Sequence, residues 1–160
     1  MTFEEYAAAR MSALLRYATV LTGDRALAED VVQNVLVRAH SRWRRIEDPD
    51  RYLRRMVVNE YLSWRRRWSR IVPMPSVAPP RSDAPDHATS HADRDALRAE
   101  LDRLPRRQRA VLVLRYYEGL TDAEIAEVLD CAPGTVRGYA SRALAALRIS
   151  PSFHLTRETR

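Results

Sequence analysis

Several features are scarce or absent in this sequence, and some of these absences exclude a class of protein. The single cysteine, Cys131, leaves no partner for an intramolecular disulfide and too few thiols for a cysteine-cluster zinc site. Lysine is absent, glycine occurs only four times, and no apolar run approaches the roughly 20 residues that a membrane span needs. The first ten residues carry two glutamates in place of a basic signal region, so we expect a cytoplasmic protein without membrane insertion.

The charge that is present has one dominant sign. All 27 basic residues are arginine, against 21 acidic residues, and the formal net charge is +6. Eleven of these arginines lie between Arg38 and Arg70, where only four acidic residues occur. This balance favours a polyanionic partner, and the segment 38–70 alone accounts for the basic character of the chain.

Apolar residues recur at spacings of three and four along most of the chain, which predicts an all-α protein. Two helical blocks, 1–70 and 94–149, flank a stretch at 71–93 that holds five of the nine prolines. Such a stretch cannot bury enough apolar surface to order itself, so we expect a flexible linker between two small domains. Residues 150–160 are interpreted as a tail.

The C-terminal block contains the most specific local pattern. Gly119 suits a left-handed helix cap, and Thr121 with Glu124 predicts a capping box at the start of the next helix, Asp122–Leu129. After a three-residue turn, Pro133 suits the first position of a second helix. Two helices joined by so short a turn predict a helix-turn-helix.

The second of these helices, 133–147, presents hydroxyl and guanidinium groups that suit phosphates and major-groove base edges. A solvated helix in an ordinary bundle is the alternative interpretation. Gly138 costs about 1 kcal/mol relative to alanine in a helix interior, so either DNA approaches the backbone closely there or the residue is merely tolerated. The exposed candidates are Thr135, Arg137, Tyr139, Ser141 and Arg142.

In the N-terminal block, Asp24 is predicted to cap a helix that runs to about Arg42. One face of this helix is apolar, while the opposite face is polar and includes Val37, which packing within the domain does not explain. An exposed valine is common, so a partner-binding face and an ordinary surface stay equally open. The polar face consists of Asp30, Gln33, Asn34, Val37, Arg38 and Ser41.

Arginines and aromatic residues are interleaved from Arg38 to Arg70. A basic groove beside aromatic rings suits single-stranded nucleic acid, although a solvated arginine face over an aromatic core is the alternative. On the helix predicted here, one apolar and aromatic stripe consists of Leu53, Val57, Tyr61, Trp64 and Trp68. Another face of the same helix is basic and consists of Arg51, Arg54, Arg55, Asn59, Arg65 and Arg66.

Three groups of motifs occur in an order that is more specific than the helix-turn-helix alone. They are Gly23-Asp24 with Ala28-Glu29-Asp30-Val31-Val32-Gln33 and Val37-Arg38-Ala39; Tyr52-Leu53 with Val57-Val58-Asn59; and Leu104-Pro105 through Arg115-Tyr116, with Glu124-Ile125-Ala126, Gly134-Thr135-Val136-Arg137 and Ser141-Arg142-Ala143. In these motifs the chain resembles the extracytoplasmic-function class of bacterial RNA polymerase sigma factors. Its Tyr61-Leu62-Ser63-Trp64 before an arginine run is similar to the short members called the SigE family.

The resemblance implies a factor, without catalytic group or cofactor, that binds core RNA polymerase and directs promoter-specific initiation. It implies that Asp30, Gln33, Asn34, Val37 and Arg38 dock on the clamp helices of the beta-prime subunit, with the beta flap and an anti-sigma factor as further partners. It implies that the loop Arg44 to Arg51 and the following helix capture melted minus-ten bases, through Arg44, Arg45, Arg51, Arg54, Arg55, Asn59 and Arg66. It implies that Thr135, Arg137, Tyr139, Ser141 and Arg142 read the duplex minus-thirty-five element.

Some positions depart from the family's pattern, and two rival functions stay open. Asn34 stands where an acid is usual, Ser63 where an aspartate is usual, Asp130 where a glycine is common and Ala132 where a serine or proline is frequent. One rival is a helix-turn-helix regulator that binds an operator without polymerase. The other is a metal hydrolase built on Asp86, His87, His91 and Asp93, although the proline-rich stretch offers no rigid ligand shell.

Overall fold

The structure is a computed structural model that describes the backbone of residues 1–68 and 90–147 and the side chains of 1–63 and 94–147. The chain divides into two units, Met1–Ala84 and Pro85–Arg160. Every regular element in the described residues is helical, which confirms the all-α prediction. None of the described helices combines the length and apolarity needed to cross a membrane. Most of the predicted linker and the whole predicted tail lie outside the described residues.

Long helices form the N-terminal unit. The sequence explains their ends: a capping box of Thr2 and Glu5 begins the first, and Gly23 ends it in the left-handed conformation at φ 73°. Asp24 caps the second helix by accepting from the N–H of Ala26, as predicted. The elements are α1 (Phe3–Thr22), α2 (Arg25–His40), a 3-10 turn (Trp43–Arg45) and α3 (Pro49–Trp68).

The three helices pack against one another pairwise around a single apolar core. The face of α2 predicted to be apolar is buried, with Leu27 only half-buried at its edge. Each helix contributes a stripe at the spacing that its sequence predicts, so apolar burial accounts for this arrangement. The largest fully buried side chains are Tyr17, Leu21, Val31, Val32, Val35, Leu53, Val57 and Val58.

Shorter elements form the C-terminal unit. Helix α4 begins at Ser90, four residues before the boundary predicted at 93/94, because the residues after Pro85 include no further proline and are compatible with a helix. A turn of π-helix extends the next helix and was not predicted. The elements are α4 (Ser90–Asp102), α5 (Arg106–Leu112), the π turn (Val113–Tyr117), α6 (Asp122–Leu129) and α7 (Pro133–Ala146).

The predicted helix-turn-helix is present as α6 and α7. Thr121 Oγ1 accepts from the N–H of Glu124 at 3.3 Å, while the Glu124 carboxylate accepts from the N–H of Thr121 at 2.8 Å. Asp130 takes the left-handed conformation at φ 53°, which aspartate adopts at modest cost, and Pro133 opens α7. The buried residues of the pair are Ile125, Ala126, Leu129, Val136, Ala140 and Ala143.

Candidate nucleic-acid interface

Every residue of the polar face of α2 is exposed. Val37 is 73% exposed at its centre, while Val35 and Leu36 beside it in sequence are buried. The other predicted members of this face, Asp30, Gln33, Asn34 and Arg38, are exposed as well. The structure therefore brings the predicted polymerase-docking residues together on one helix face, with an apolar side chain among them.

Arg38 differs from its neighbours on this face because it has a partner on another helix. Its Nη2 donates to Oε2 of Glu60 on α3 at 2.8 Å. Glu60 is 4% exposed, whereas the Arg38 side chain is 49% exposed. A carboxylate so deeply buried requires a compensating charge and hydrogen bonds, and Arg38 supplies a charge and one hydrogen bond. Sequence reasoning missed this pair, which joins residues 22 positions apart.

An open cleft of about 380 Å³ lies between the end of α2 and the middle of α3. Guanidinium and carboxamide groups share its lining with the ring of Tyr52 and the thioether of Met56. Stacking surfaces beside hydrogen-bonding groups suit an unstacked base and its phosphate. The lining residues are Arg38, Ser41, Arg42, Tyr52, Met56 and Asn59.

The predicted loop from Arg44 to Arg51 is shorter than the family resemblance implied. Helix α3 already begins at Pro49, because proline fixes a helical φ and Asp48 accepts from the N–H of Arg51 at 3.1 Å. Arg51 therefore stands in the first turn of a helix. Arg44 and Arg45 lie in the 3-10 turn, and both are exposed.

The remaining minus-ten candidates follow one side of α3. Arg51, Arg54, Arg55 and Asn59 are all exposed, while Leu53, Val57 and Tyr61 of the predicted stripe are buried. Arg66 stands in the last turns of α3, where the side chains, like those of Trp64, Arg65 and Trp68, lie outside the described part.

An aromatic cluster, which sequence reasoning missed, fixes the 3-10 turn against α1. The Trp43 ring lies edge-on to Phe3 at 5.3 Å and tilted to Tyr6 at 5.1 Å between centroids, and its Nε1 donates to the carbonyl of Met1 at 3.2 Å. Tyr6 Oη donates to Oδ1 of Asp50 at 2.8 Å. Burial, together with this hydrogen bond to a carboxylate, raises the pKa of Tyr6 well above its usual range. The first residues of the chain thus hold the arginine-bearing turn in place.

Helix α7 displays the predicted duplex-reading residues over a buried face. Thr135, Arg137, Ser141 and Arg142 are exposed and Tyr139 is half-buried. The guanidinium carbon of Arg142 lies 5.3 Å from the centroid of the Tyr139 ring, within cation–π range. A Cβ at Gly138 would meet only the Arg142 side chain, at 3.6 Å or more. Packing within the unit therefore does not require glycine at this position.

Two ion pairs hold the elements around the helix-turn-helix. Arg109, buried in α5, donates to Oδ1 of Asp102 at 2.5 Å, and Arg115 at the π turn donates to Asp122 at the start of α6. The hydrogen bond from Arg115 to Asp122 raises the pKa of this guanidinium. Both pairs join residues seven positions apart.

No group of three or more His, Cys, Asp or Glu side chains in the described part of the chain is arranged to hold a metal ion. The residues weighed for a metal hydrolase, Asp86, His87, His91 and Asp93, have side chains outside that part.

Comparison with known proteins gives matches over both units. Residues 3–71 match the family Sigma-70 region 2, and residues 94–147 match the family Sigma-70, region 4. The RNA polymerase sigma-E factor of Streptomyces coelicolor is 40% identical over 151 residues, which cover 92% of this chain and 85% of that protein. The ECF RNA polymerase sigma factor SigL of Mycobacterium tuberculosis is 35% identical over 156 residues, with coverage of 92% and 85%.

Solved structures show the same fold. The sigma factor RpoE from Bartonella quintana, in complex with the anti-sigma factor NepR, superposes with a TM-score of 0.70 at 24% identity, covering 90% of this chain and 92% of that chain. The PhyRSL–NepR complex from Sphingomonas sp. Fr1 gives a TM-score of 0.63 at 20% identity, with 94% of each chain covered.

Proposed function

The chain belongs to the extracytoplasmic-function family of RNA polymerase sigma factors, and on that premise we propose how its two units divide promoter recognition. As a sigma factor it directs transcription. An operator-binding regulator that acts without polymerase is not favoured, because the relatives match the N-terminal unit as well as the helix-turn-helix. The relatives are sigma factors rather than enzymes.

The N-terminal unit docks on core RNA polymerase through the exposed face of α2. The observation that carries this assignment is Val37, a large apolar side chain that is 73% exposed on a helix whose opposite face forms part of the core. A single exposed valine is common on protein surfaces, so the proposal also depends on the place of Val37 at the centre of the face that resembles the docking helix of the family. The clamp helices of the beta-prime subunit are the proposed surface.

The same unit captures melted minus-ten bases beside α3. Arg44 and Arg45 on the turn and Arg51, Arg54 and Arg55 on the helix supply exposed donors for phosphates. The cleft beside Tyr52 and Asn59 supplies a stacking surface and a base-reading carboxamide. Capturing an unstacked base offsets an unstacking cost of about a few kcal/mol, so melting requires no catalytic group.

The C-terminal unit reads the minus-thirty-five duplex through α7. Its exposed residues combine guanidiniums, which pair with guanine edges or phosphates, with hydroxyls that fix the register on the backbone. The beta flap of the polymerase is a proposed contact of this unit. Since the Bartonella relative in fold is bound by an anti-sigma factor, we also propose a partner of that kind for this chain.

Run-off transcription with purified core polymerase and a genomic promoter library tests the proposal. We expect factor-dependent initiation at a shared pair of upstream elements. Absence of any such initiation, with specific binding of duplex DNA by the isolated chain, would favour the operator-binding regulator.

A variant of α7 tests the assignment of surfaces. Arg137→Ala removes an exposed guanidinium, and we expect the affinity for the upstream element to fall about tenfold while core affinity is unchanged. Arg107→Ala on α5 is the matched control, because it removes an exposed arginine of the same unit from a helix other than α7. A loss of core affinity in Arg137→Ala would contradict the assignment.

A further inference from the structure

Two arginines line the cleft of the N-terminal unit, and they differ in their partners. Arg38 is held by the buried carboxylate of Glu60 at 2.8 Å. Arg42 is exposed, and none of the described carboxylates forms an ion pair with it. The two guanidiniums therefore reach the same cleft in different electrostatic states.

The pairing changes what Arg38 offers a ligand. An arginine beside a carboxylate forms a unit with no net charge, so it attracts a phosphate much less strongly than a free guanidinium does. Its planar fork keeps the donors that the carboxylate does not use, and these are directional. A guanidinium fixed in orientation and neutralised in charge suits recognition of a base edge more than neutralisation of a backbone.

The burial of Glu60 fixes the orientation of the Arg38 guanidinium. Glu60 lies in α3 next to Asn59, and both α3 and α2 are anchored in the core on either side of the pair. Because only 4% of the Glu60 side chain is exposed, its carboxylate stays inside the unit and does not move with Arg38 toward solvent. Half of the Arg38 side chain remains exposed toward the outside.

We infer that Glu60 is a positioning residue that holds Arg38 at the cleft wall, where Arg38 determines which base the cleft accepts. This inference rests on the proposed capture of minus-ten bases. Arg38 then contributes to DNA specificity, whereas its position on the α2 face alone suggested polymerase docking. Arg42, which pairs with none of the described carboxylates, binds the adjacent phosphate.

The donors of Arg38 define the base. Two N–H groups of one guanidinium require two adjacent acceptors, which guanine offers at O6 and N7 and cytosine at O2 and N3. Adenine places an amino donor beside N7, and thymine flanks each carbonyl with an N–H. The cleft is therefore selective for guanine or cytosine over adenine or thymine at one position of the melted strand.

Affinity of the holoenzyme for forked DNA tests the inference. The fork carries a minus-ten segment as a single strand, taken from a promoter found by run-off selection, and each of its positions is replaced in turn by the other three bases. For the unmodified chain we expect one position at which guanine or cytosine is favoured about tenfold or more over adenine and thymine. Failure of run-off selection itself would refute the proposed function before any variant is made.

The informative variant is Arg38→Lys, because lysine keeps a charge opposite Glu60 but lacks the fork. We expect it to fold and to lower the base preference at that position at least threefold. Glu60→Gln should lower the preference at the same position. Arg42→Ala should weaken all sequences alike and reduce the slope of log affinity against log salt by about 1.

Arg25→Ala is the matched control, because Arg25 pairs with Glu29 on the exposed start of α2 and should change neither base preference nor core affinity. Thermal unfolding of every variant separates loss of fold from loss of recognition. Intact base preference in both Arg38→Lys and Glu60→Gln would overturn the inference, and reduced core affinity with intact preference would return Arg38 to the docking face. A uniform loss with a smaller salt slope would overturn it as well, in favour of a phosphate contact.

Discussion

The side-chain hydrogen bonds that join elements of the N-terminal unit span long stretches of sequence. Tyr6 and Asp50 are 44 residues apart, the Trp43 ring and the Met1 carbonyl 42, and Arg38 and Glu60 22. These bonds form only after α1, α2 and α3 have packed together. The arginine turn and the cleft therefore take their shape from the complete unit.

The helix cap and the ion pairs described for the C-terminal unit have a short reach. Thr121 and Glu124, which cap α6, are three residues apart. The ion pair of Arg109 with Asp102 and that of Arg115 with Asp122 each join residues seven positions apart. Such contacts can form as soon as two neighbouring turns are in place. The comparison teaches that a surface displayed by one capped helix can be predicted locally, whereas a cleft between helices cannot.

The largest expected effect tests whether the C-terminal unit also needs its packed core. Val136→Glu places a carboxylate at a position with 0% exposure, so we expect a loss of at least about 4 kcal/mol of unfolding free energy. The same change at Val37 should alter stability by no more than about 0.5 kcal/mol but weaken binding to core polymerase. Chemical denaturation and core affinity are measured for both, and unchanged core affinity in Val37→Glu would refute docking through α2.

The next effect tests the contact between α2 and α3. Arg38→Ala leaves Glu60 buried without this partner, and we expect about 1–3 kcal/mol of destabilisation, less than for a fully buried pair because Arg38 is half exposed. Arg25→Ala, at an exposed pair within one helix, should cost at most about 0.5 kcal/mol. If denaturant titration gave the same loss of unfolding free energy for Arg38→Ala and Arg25→Ala, the long-range pair would contribute no more to stability than the local pair.

A smaller effect concerns the contact between α1 and α3. Tyr6→Phe removes the hydrogen bond to Asp50, and we expect a loss of about 1 kcal/mol near neutral pH. Because the pKa of Tyr6 is raised in the folded protein, the protonated form of this side chain is stabilised by folding. Its stabilisation is therefore present below the pKa of the unfolded tyrosine, about 10, and is lost as pH rises from there toward the folded pKa.

Alkaline denaturation measures this difference. The unfolding free energy of the unmodified chain should fall more steeply above about pH 10 than that of Tyr6→Phe. Identical slopes would show that the Tyr6 hydroxyl contributes nothing to the linkage.

The smallest effect concerns a local cap. Thr121→Ala removes the side-chain acceptor at the start of α6, and we expect a cost of roughly 0.5–1 kcal/mol, while Thr121→Ser keeps the acceptor and should be nearly neutral. Thermal unfolding provides the measurement. A cost above that of Arg38→Ala would reverse the order that the comparison predicts.

Much of the fold followed from sequence because its signals are local. The bounds of α6 and the cap at Asp24 were predicted correctly. The polar face of α2 was also predicted, since helical periodicity alone decides which residues share a face. The start of α3 at Pro49 was not, although the proline after Asp48 is a signal that could have placed it.

The candidate site was predicted as a set of residues but not as an arrangement. No spacing rule connects Arg38 with Glu60, or Trp43 with Phe3 and Tyr6, because these residues meet only across different helices. The π turn that precedes α6 also lacked a sequence signal that we can identify.

By itself, the sequence determined the helices, their caps, their buried faces and the family, because hydrogen bonds over a few residues and helical periodicity are properties of short segments. Only the tertiary structure decided which of two nearby guanidiniums lies beside a buried carboxylate. Arg38 and Arg42 are four residues apart in one basic segment, yet a buried carboxylate lies beside Arg38. The reason is that the energy of a charge depends on what surrounds it, and helix packing sets those surroundings.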